Sequence, residues 1–176
     1  CHSHSDYKVD EEKILLILLN DQPVRLFRQN HKTRVLSCHS HRCYVLIGPD
    51  LQYEGANPEF EEDATLLRAW RQSVYEEGIR IRVGRWKIQG NPVAILIDFT
   101  SLFAKKDEIL KTLWDEYHVD SISGQWDYVE PVLFGWAAGQ VIASYVDAFC
   151  SAQDKVAAHF HEWMTAAGAL YLRSNA

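Results

Sequence analysis

The stretch Val93-Ala-Ile-Leu-Ile97 decides the fold of this chain, together with Ile79-Arg-Ile-Arg-Val83 shortly before it. Residues 93–97 are continuously apolar, as a strand covered on both faces should be. Residues 79–83 alternate apolar and charged side chains, which is typical of a strand with one exposed face. The two stretches therefore predict a buried strand and a half-exposed strand.

Strand and helix patterns alternate on both sides of this pair. Further strands are predicted for Cys43-Tyr-Val-Leu-Ile47 and for Lys155-Val-Ala-Ala-His-Phe160. Apolar residues at helical spacing predict amphipathic helices over residues 60–77, closed by Gly78, over 102–119 and over 163–173. The apolar side of the helix over 102–119 is predicted to carry Ile109, Leu110, Leu113, Trp114 and Tyr117. This order predicts an α/β fold with a mostly parallel sheet and flanking helices.

Residues 131–149 are apolar enough to raise the question of a membrane span. Asp147 is their only charge, and their number reaches the lower limit for crossing a bilayer. Pro131 is expected to start a helix, and Gly135 and Gly139 lie on one face, where they would let the helix sit close against a sheet. We therefore predict a buried core helix.

Composition and charge bound the class of protein. The chain has 176 residues, 47% of them hydrophobic and 24% charged, with a formal net charge of −6. This balance is typical of a soluble globular fold of one domain. Nucleic acid and anionic membranes require a basic face, so neither is expected as a partner. Four cysteines are too few for a disulfide scaffold, which favours a reducing, cytoplasmic setting.

The first 43 residues differ from the rest. They hold five of the eight histidines, three of the four cysteines and no glycine, and the first glycine is Gly48. We therefore divide the chain into an atypical N-terminal segment, residues 1–43, and an α/β domain, residues 44–176. One hypothesis is that residues 1–43 are not native to the domain.

Two polar clusters stand where the pattern predicts strand ends or helix starts. His159-Phe-His-Glu-Trp163 follows a strand, and three interpretations stay open for its histidines: a metal site, a contact with substrate or a structural role. Trp126-Asp-Tyr-Val-Glu130 precedes the buried helix, where Asp127 and Glu130 either cap the helix or form a sugar site with the aromatic rings. Ligands of α/β sheets bind beyond the carboxyl ends of the strands, so both clusters are candidate sites.

Other motifs in the sequence give weaker indications or none. Cys38-His-Ser-His-Arg-Cys43 invites a zinc interpretation, but its spacing does not match the usual pairs, and an unstructured or misassigned segment is favoured. The sequence lacks G-x-G-x-x-G, the P-loop pattern and G-x-S-x-G. Nothing in these motifs therefore indicates a dinucleotide site, a P-loop or a serine hydrolase.

Five segments in order resemble one family. Val156-Ala-Ala-His-Phe-His-Glu-Trp163 is similar to the V-V-A-H-F-H-E-W segment of glycogen synthases from animals, fungi and some bacteria. Gly84-Arg-Trp-Lys-Ile-Gln-Gly90 resembles their G-R-W-x-I-x-G strand pair. Three shorter matches are Tyr44-Val-Leu-Ile-Gly-Pro49, Leu113-Trp-Asp115 and Val132-Leu-Phe-Gly135.

The resemblance implies the N-terminal half of a GT-B glycosyltransferase with two Rossmann-like domains. Such an enzyme extends α-1,4-glucan from a nucleotide-activated glucose, here expected to be UDP-glucose, with retention and without a metal or other cofactor. It implies that His161 faces the donor sugar as a catalytic residue. As substrate-binding residues we take Asp127, Glu130, His159, Glu162 and Trp163. The partners implied are a nucleotide-sugar donor, a glucan acceptor and, at full length, further copies of the protein.

The chain departs from the family pattern in two ways that bear on whether it can transfer glucose alone. The family's Lys-x-Gly-Gly loop should fall within residues 1–43, which contain no glycine to let backbone approach a phosphate. The second Rossmann domain, which supplies most donor contacts, has no counterpart before Ala176. We therefore expect that this chain alone does not transfer glucose. A non-catalytic glucan-binding or protein-interaction domain is the alternative.

Overall fold

A mixed six-stranded sheet forms the centre of the molecule. The computed structural model describes residues 13–19, 41–47, 58–87, 90–152, 154–160 and 163–175. The strands are β1 (Lys13–Leu19), β2 (His41–Ile47), β3 (Phe60–Glu62), β4 (Arg80–Trp86), β5 (Val93–Asp98) and β6 (Lys155–Phe160). Their order across the sheet is β3-β4-β5-β2-β1-β6.

One strand of the sheet, β4, runs in the opposite direction to the other five. β1 pairs in parallel with β2 and β6, and β2 pairs in parallel with β5. β4 runs antiparallel to both of its neighbours, β3 and β5. The predicted α/β class is therefore confirmed, and the sheet is mixed. The carboxyl ends of β1, β2, β5 and β6 share one edge.

Within the described residues, four α-helices flank the sheet, together with two 3-10 helices at residues 100–105 and 163–165. The α-helices are α1 (Arg68–Glu76), α2 (Lys106–Tyr117), α3 (Trp126–Phe149) and α4 (Ala166–Asn175). On α2 the predicted apolar residues Ile109, Leu110 and Leu113 are buried. The prediction is wrong for Trp114, which lies at the edge of that stripe and is 45% exposed.

The predicted helix over residues 60–77 is wrong in its first eight residues, because α1 begins at Arg68. Residues 60–62 form β3, which pairs with β4, so their backbone hydrogen bonds go to the sheet. Asp63 then makes a turn, because its carboxylate accepts hydrogen bonds from the backbone N–H of Thr65 at 2.9 Å and from its hydroxyl at 2.6 Å. α1 starts only after this turn.

The predicted end of α1 at Gly78 is confirmed. Gly78 has a φ of 94°. Its N–H donates to the carbonyl of Tyr75 at 3.0 Å, and the N–H of Ile79 donates to the carbonyl of Val74 at 3.2 Å. These two bonds form a Schellman motif, which closes the helix and directs the chain into β4.

The predicted buried helix is α3, and its burial is confirmed. It is long and apolar enough to cross a membrane, but 61% of its most apolar window is buried inside the protein. The prediction that Pro131 starts it is wrong, because the helix begins at Trp126 and Pro131 lies inside. Proline has no N–H, so the carbonyl of Asp127 lacks its usual helical donor.

The glycines of α3 pack against α4, so the prediction that they face the sheet is wrong. A Cβ added to Gly135 would lie 3.0 Å from the carbonyl oxygen of Thr165, and one added to Gly139 would lie 3.0 Å from that of Gly168. On the other helix, a Cβ added to Gly168 would lie 2.5 Å from the carbonyl oxygen of Gly135. The glycines therefore allow two helical backbones to approach closely.

Large side chains fill the contact between α3 and α1. Trp70 of α1 packs edge-on against Tyr145 and Phe149, with ring centroids 5.4 Å and 6.0 Å away. Its indole N–H donates to the hydroxyl of Ser144 at 3.1 Å. Trp70 and Tyr145 are both buried, so this cluster joins α1 to the main core.

Candidate functional site

Two segments follow the parallel strands at the edge where these strands end, and one of them belongs to the predicted histidine cluster. Phe99 and the 3-10 helix at residues 100–105 follow β5, and Trp163 lies three residues after the last position of β6. The first turn of α3 contacts both segments, as the ring contacts below show. It therefore bridges two strand ends, which is where α/β sheets bind ligands.

The first bridge is a stacked pair of rings. Tyr128 in the first turn of α3 lies parallel to Trp163, with ring centroids 6.0 Å apart and 9° between their planes. Gly124 makes room for this pair, since a Cβ there would lie 2.3 Å from the Tyr128 ring. Trp163 stays 56% exposed. One face of the pair is thus available to solvent.

The second bridge is a line of four rings that runs outward from the core. Phe134, fully buried in α3, contacts Phe99 at 5.9 Å, and Phe99 contacts Phe103 at 5.7 Å. Phe103 contacts Trp126 at 5.2 Å between centroids, with 79° between the planes. Trp126 is 50% exposed. We call Phe103, Trp126, Tyr128 and Trp163 the aromatic patch.

The two predicted carboxylates stand beside the aromatic patch. Asp127 is exposed in the first turn of α3, where the helix dipole favours a negative charge. Glu130 follows one turn later and is half-buried. The preceding residue, Gln125, makes no side-chain capping bond. A dipole role and a sugar-binding role both fit Asp127, so both interpretations stay open.

The phenol of Tyr128 remains a hydrogen-bond donor at neutral pH. Burial raises the pKa of Tyr128, and the negative charge of Asp120 raises it further. The hydroxyl is therefore uncharged near pH 7 and available to a polar ligand next to the stacked rings.

The predicted histidine cluster is only partly described. His159 lies in β6, exposed, on the face opposite to Val156, Ala158 and Phe160, which pack against the core. It is therefore on a different face of the strand from the side that meets α4. His161 and Glu162 lie outside the described residues, as do Cys38 to Ser40 of the zinc motif. Their predicted roles stay predictions.

Metal ligands can be judged only within the part of the chain that the structure describes. There, no group of three or more His, Cys, Asp or Glu side chains lies close enough to hold an ion. His159 belongs to no such group within that part. The metal interpretation of His159 with His161 requires residues that the structure does not describe.

Asp98 ends β5 at the same edge and is held rigidly. It is buried and accepts hydrogen bonds from the backbone N–H of Thr100 at 3.0 Å and from its hydroxyl at 2.6 Å. It also pairs with the guanidinium of Arg80. Burial alone would raise the pKa of Asp98, but the Thr100 bonds and Arg80 outweigh it and lower the pKa. Asp98 thus fixes the start of the segment that presents Phe103.

Sequence reasoning did not predict Phe103 as part of the site. The chain places it on a short 3-10 helix directly after a buried strand, and it remains partly exposed although apolar. An aromatic residue within a few positions of a strand end was the signal that would have found it.

Known proteins match most of the chain. The sequence model of the glycogen synthase family matches residues 29–176. The chain belongs to the glycogen synthase family. A glycogen (starch) synthase of Neurospora crassa is 33% identical over 125 residues, which cover 69% of this chain and 17% of that protein. Isoform 2 of the same enzyme from Saccharomyces cerevisiae is 30% identical over 135 residues, 69% of this chain and 18% of that protein.

A more distant relative extends the match. The glycogen (starch) synthase of Dictyostelium discoideum is 27% identical over 135 residues, which cover 74% of this chain and 14% of that protein. The chain thus spans less than a fifth of the length of these three relatives. Within this chain, the glycogen synthase segment at residues 156–163 corresponds to β6 and the start of the second 3-10 helix.

Proposed function

We propose that this chain is part of a retaining glucosyltransferase that extends the α-1,4-glucan of glycogen from UDP-glucose. The observation that carries the proposal is the aromatic patch beside Asp127 and Glu130, at the strand ends of a glycogen synthase family chain. The four parallel strands that share this edge support a Rossmann-like half of a GT-B enzyme.

Sugar recognition is the chemistry that this surface fits. A pyranose offers an apolar face and a rim of hydroxyl groups. Exposed rings such as Trp163 and Trp126 match the apolar face, and carboxylates such as Asp127 accept hydrogen bonds from hydroxyls. Trp126 and Trp163 are each about half exposed, which suits a glucan chain that lies along a surface.

The proposed roles divide between the histidine segment and the start of α3. Retaining transfer passes through an oxocarbenium-like state, so negative charge on the leaving group must be stabilised. The resemblance assigns His161 to the donor sugar, with His159, Glu162 and Trp163 as its neighbours in sequence. Asp127 and Glu130 would bind hydroxyls of the donor or acceptor. No metal or other cofactor enters the proposal.

A glucan titration tests the patch. We expect maltoheptaose to bind the 176-residue chain and to change its tryptophan fluorescence. Replacing Trp163 with alanine should weaken binding about tenfold by calorimetry, because a stacked ring contributes about 1 kcal/mol or more beside its buried area. The matched control is Trp114→Ala, which removes another exposed indole, on α2. Equal weakening by both variants, or no binding, would contradict a glucan site here.

A chimera tests the transfer reaction. We expect the 176-residue chain alone to incorporate no label from UDP-glucose into glycogen. Residues 29–176 would then replace the matching segment of the Neurospora crassa glycogen synthase. We expect this chimera to transfer glucose, with UDP-glucose preferred over ADP-glucose. His161→Ala in the chimera should lower kcat by about a hundredfold or more, as expected for a group that stabilises transition-state charge.

The control in the chimera is His159→Ala, for which we expect a smaller loss in kcat. Retention is checked by the anomeric configuration of the first transferred glucose. A chimera that folds but transfers nothing, or one in which His161→Ala has no effect, would rule out the proposed role of this segment.

The second candidate function is a glucan-binding or protein-interaction domain without catalysis. The exposure of the aromatic patch in this chain alone is the observation that favours it. Maltoheptaose binding by the chain together with a folded but inactive chimera would support this candidate. Cytoplasmic localisation, lack of nucleic-acid and membrane partners, and assembly into a homo-oligomer at full length remain part of the main proposal.

A further inference from the structure

The exposed indole of Trp163 is held by a residue from a different element. Trp163 begins the second 3-10 helix and is 56% exposed. Its ring nevertheless lies parallel to that of Tyr128, with 6.0 Å between the centroids and 9° between the planes. An offset parallel arrangement is one that aromatic side chains favour. Tyr128 therefore covers one face of the indole and leaves the opposite face to solvent.

Tyr128 is itself firmly placed on the protein side of this stack. It is half-buried and packs against the main hydrophobic core. Its backbone N–H donates to the carbonyl of Gln125 at 3.0 Å. The N–H of Val129, which is buried, donates to the same carbonyl at 2.9 Å. A residue that is already held at its backbone and at its ring loses little further entropy when an indole stacks on it.

The loop before α3 leaves space for the ring of Tyr128. Ser121 is buried, and its hydroxyl donates to the carbonyl oxygen of Leu110 in α2 at 2.7 Å, which ties the loop to that helix. The N–H of Gly124 donates to the carbonyl of Ser121 at 3.3 Å. A Cβ added to Gly124 would lie 2.3 Å from Cδ1 of Tyr128, which is far inside van der Waals contact. The ring can occupy its position only because residue 124 has no side chain.

The backbone on the other side of the stack is anchored by helix packing. Thr165, two residues after Trp163, is fully buried. Its carbonyl oxygen lies next to Gly135 of α3. Packing against α3 thus fixes the backbone of the 3-10 helix, whereas the indole extends from it into solvent. The contact with Tyr128 then fixes the orientation of the indole.

We propose that Tyr128 is a positioning residue of the glucan site, which holds Trp163 in one orientation so that the glucan binds the indole face opposite to Tyr128. The inference rests on the proposed glucan-binding function of the aromatic patch. It assigns Tyr128 no contact with the sugar. A ligand that binds a freely rotating side chain loses affinity because that side chain has to be immobilised. The stack with Tyr128 orders the indole before the ligand arrives, so this loss is avoided.

Calorimetry with maltoheptaose on the 176-residue chain tests the inference. Tyr128→Ala should weaken binding about fivefold, which corresponds to the immobilisation of one side chain on binding. Tyr128→Phe keeps the ring and loses only the hydroxyl, so its affinity should equal that of the wild type. The matched control is Tyr75→Ala, which removes an exposed tyrosine from α1 and should leave binding unchanged.

A double-mutant cycle separates positioning from direct contact with the sugar. If Tyr128 acts through Trp163, the double variant Tyr128→Ala/Trp163→Ala should bind maltoheptaose as weakly as Trp163→Ala alone, because no indole is left to orient. A direct contact between Tyr128 and the sugar would make the two losses add. Near-ultraviolet circular dichroism reports fixed aromatic packing. Its tryptophan bands should decrease in Tyr128→Ala and be retained in Tyr128→Phe.

Gly124→Ala tests the same contact without removing either ring. The added Cβ should displace the ring of Tyr128 and weaken maltoheptaose binding, as Tyr128→Ala does. The matched control is Gly78→Ala, whose added Cβ meets no atom within 4 Å and which should leave binding unchanged. Circular dichroism checks that each variant is folded. If Tyr128→Ala does not fold, Gly124→Ala takes its place in the cycle.

Three results would overturn the inference. They are unchanged affinity in Tyr128→Ala or Gly124→Ala, equal weakening by Tyr128→Ala and Tyr128→Phe, and additive losses in the double variant. In each of these cases the wild-type chain still binds maltoheptaose and Trp163→Ala still weakens binding, so the proposed glucan site stands. Lack of binding by the wild-type chain would instead contradict the glucan site itself, and this inference would fail with it.

Discussion

α3 meets two of its helical neighbours, α4 and α1, in opposite ways. Toward α4 it presents Gly135 and Gly139, and the two backbones touch. Toward α1 it presents Tyr145 and Phe149, which surround the ring of Trp70. The glycine contact holds Thr165, two residues after Trp163, so it positions the candidate site. The ring contact lies along the C-terminal half of α3. Stability and site geometry should therefore depend on different interfaces.

Removing the central ring should give the largest loss of stability. We expect Trp70→Ala to lower the free energy of unfolding by about 3–5 kcal/mol, because a buried indole and its contacts are lost. Maltoheptaose affinity of the folded fraction should not change. Urea unfolding followed by circular dichroism measures the first quantity. Trp70→Phe is the control and should cost less. A change in the glucan affinity of Trp70→Ala would show that the ring contact, and not only the glycine contact, affects the site.

Adding one carbon at the glycine contact should lower the free energy of unfolding less than Trp70→Ala does. It should weaken maltoheptaose binding more. In Gly168→Ala the new Cβ would lie 2.5 Å from the carbonyl oxygen of Gly135 and 2.4 Å from the ring of Phe160. We expect a loss of about 1–3 kcal/mol from overpacking, as helix α4 moves away. The same shift should displace the segment at residues 163–165 and weaken maltoheptaose binding.

The control for the glycine contact is Ala169→Ser, at the next, exposed position of α4. It should change stability by less than about 0.5 kcal/mol, as surface substitutions usually do. If Gly168→Ala destabilises the protein while glucan affinity stays normal, α4 does not position the site.

Asp98 extends the comparison to a buried polar contact. We expect Asp98→Asn to cost about 1–2 kcal/mol at pH 7, because charge-assisted hydrogen bonds from Thr100 and Arg80 are weakened. The folded pKa of Asp98 is below its ordinary value of 3.8. Its contribution to stability is therefore present above about pH 4 and is lost as the pH falls through the folded pKa.

Urea unfolding between about pH 2 and pH 7 measures this contribution. The wild-type chain and Asp98→Asn should converge in stability at the acid end. A constant difference across that range would mean that the carboxylate charge of Asp98 contributes nothing.

The smallest loss of stability is expected at Gly78, where glycine is required for its backbone angle. A Cβ on Gly78 would meet no atom within 4 Å, so only its φ of 94° opposes substitution. We expect Gly78→Ala to cost about 1 kcal/mol and to leave maltoheptaose binding intact. Gly78→Asn should cost less, since asparagine tolerates positive φ better. A larger loss than in Gly168→Ala would reverse the ranking of the two glycines.

The sequence allowed prediction of those elements whose pattern is local. The alternation at residues 79–83, the apolar run at 93–97 and the apolar length of α3 each depend on neighbouring residues only, and the structure confirms them. Residues 60–62 were assigned to a helix because their strand pairing with β4 depends on a segment more than twenty positions away. The glycines of α3 were given the wrong partner for the same reason.

The candidate site was predicted in part. Trp126, Asp127 and Trp163 were predicted from the rule that ligands bind beyond the strand ends. This rule applies because the ends of parallel strands converge in any loop conformation. It did not find that Tyr128 stacks on Trp163 or that Phe103 supports Trp126, since both contacts bring together residues from separate elements. His159 lies on the outer face of β6. This placement depends on the register in which β6 pairs with β1, which the sequence alone does not indicate.

The burial of α3 has a consequence for the order of synthesis. The ribosome completes α3 at Phe149, but β6 and α4, which cover one side of it, are made afterwards. At a translation rate of about 5–20 residues per second, the 24-residue apolar helix α3 is complete one or more seconds before α4 has been synthesised. In that interval the nascent chain displays a segment of membrane-like character to chaperones and to targeting factors. Slow codons between positions 150 and 175 should therefore lower the yield of folded protein.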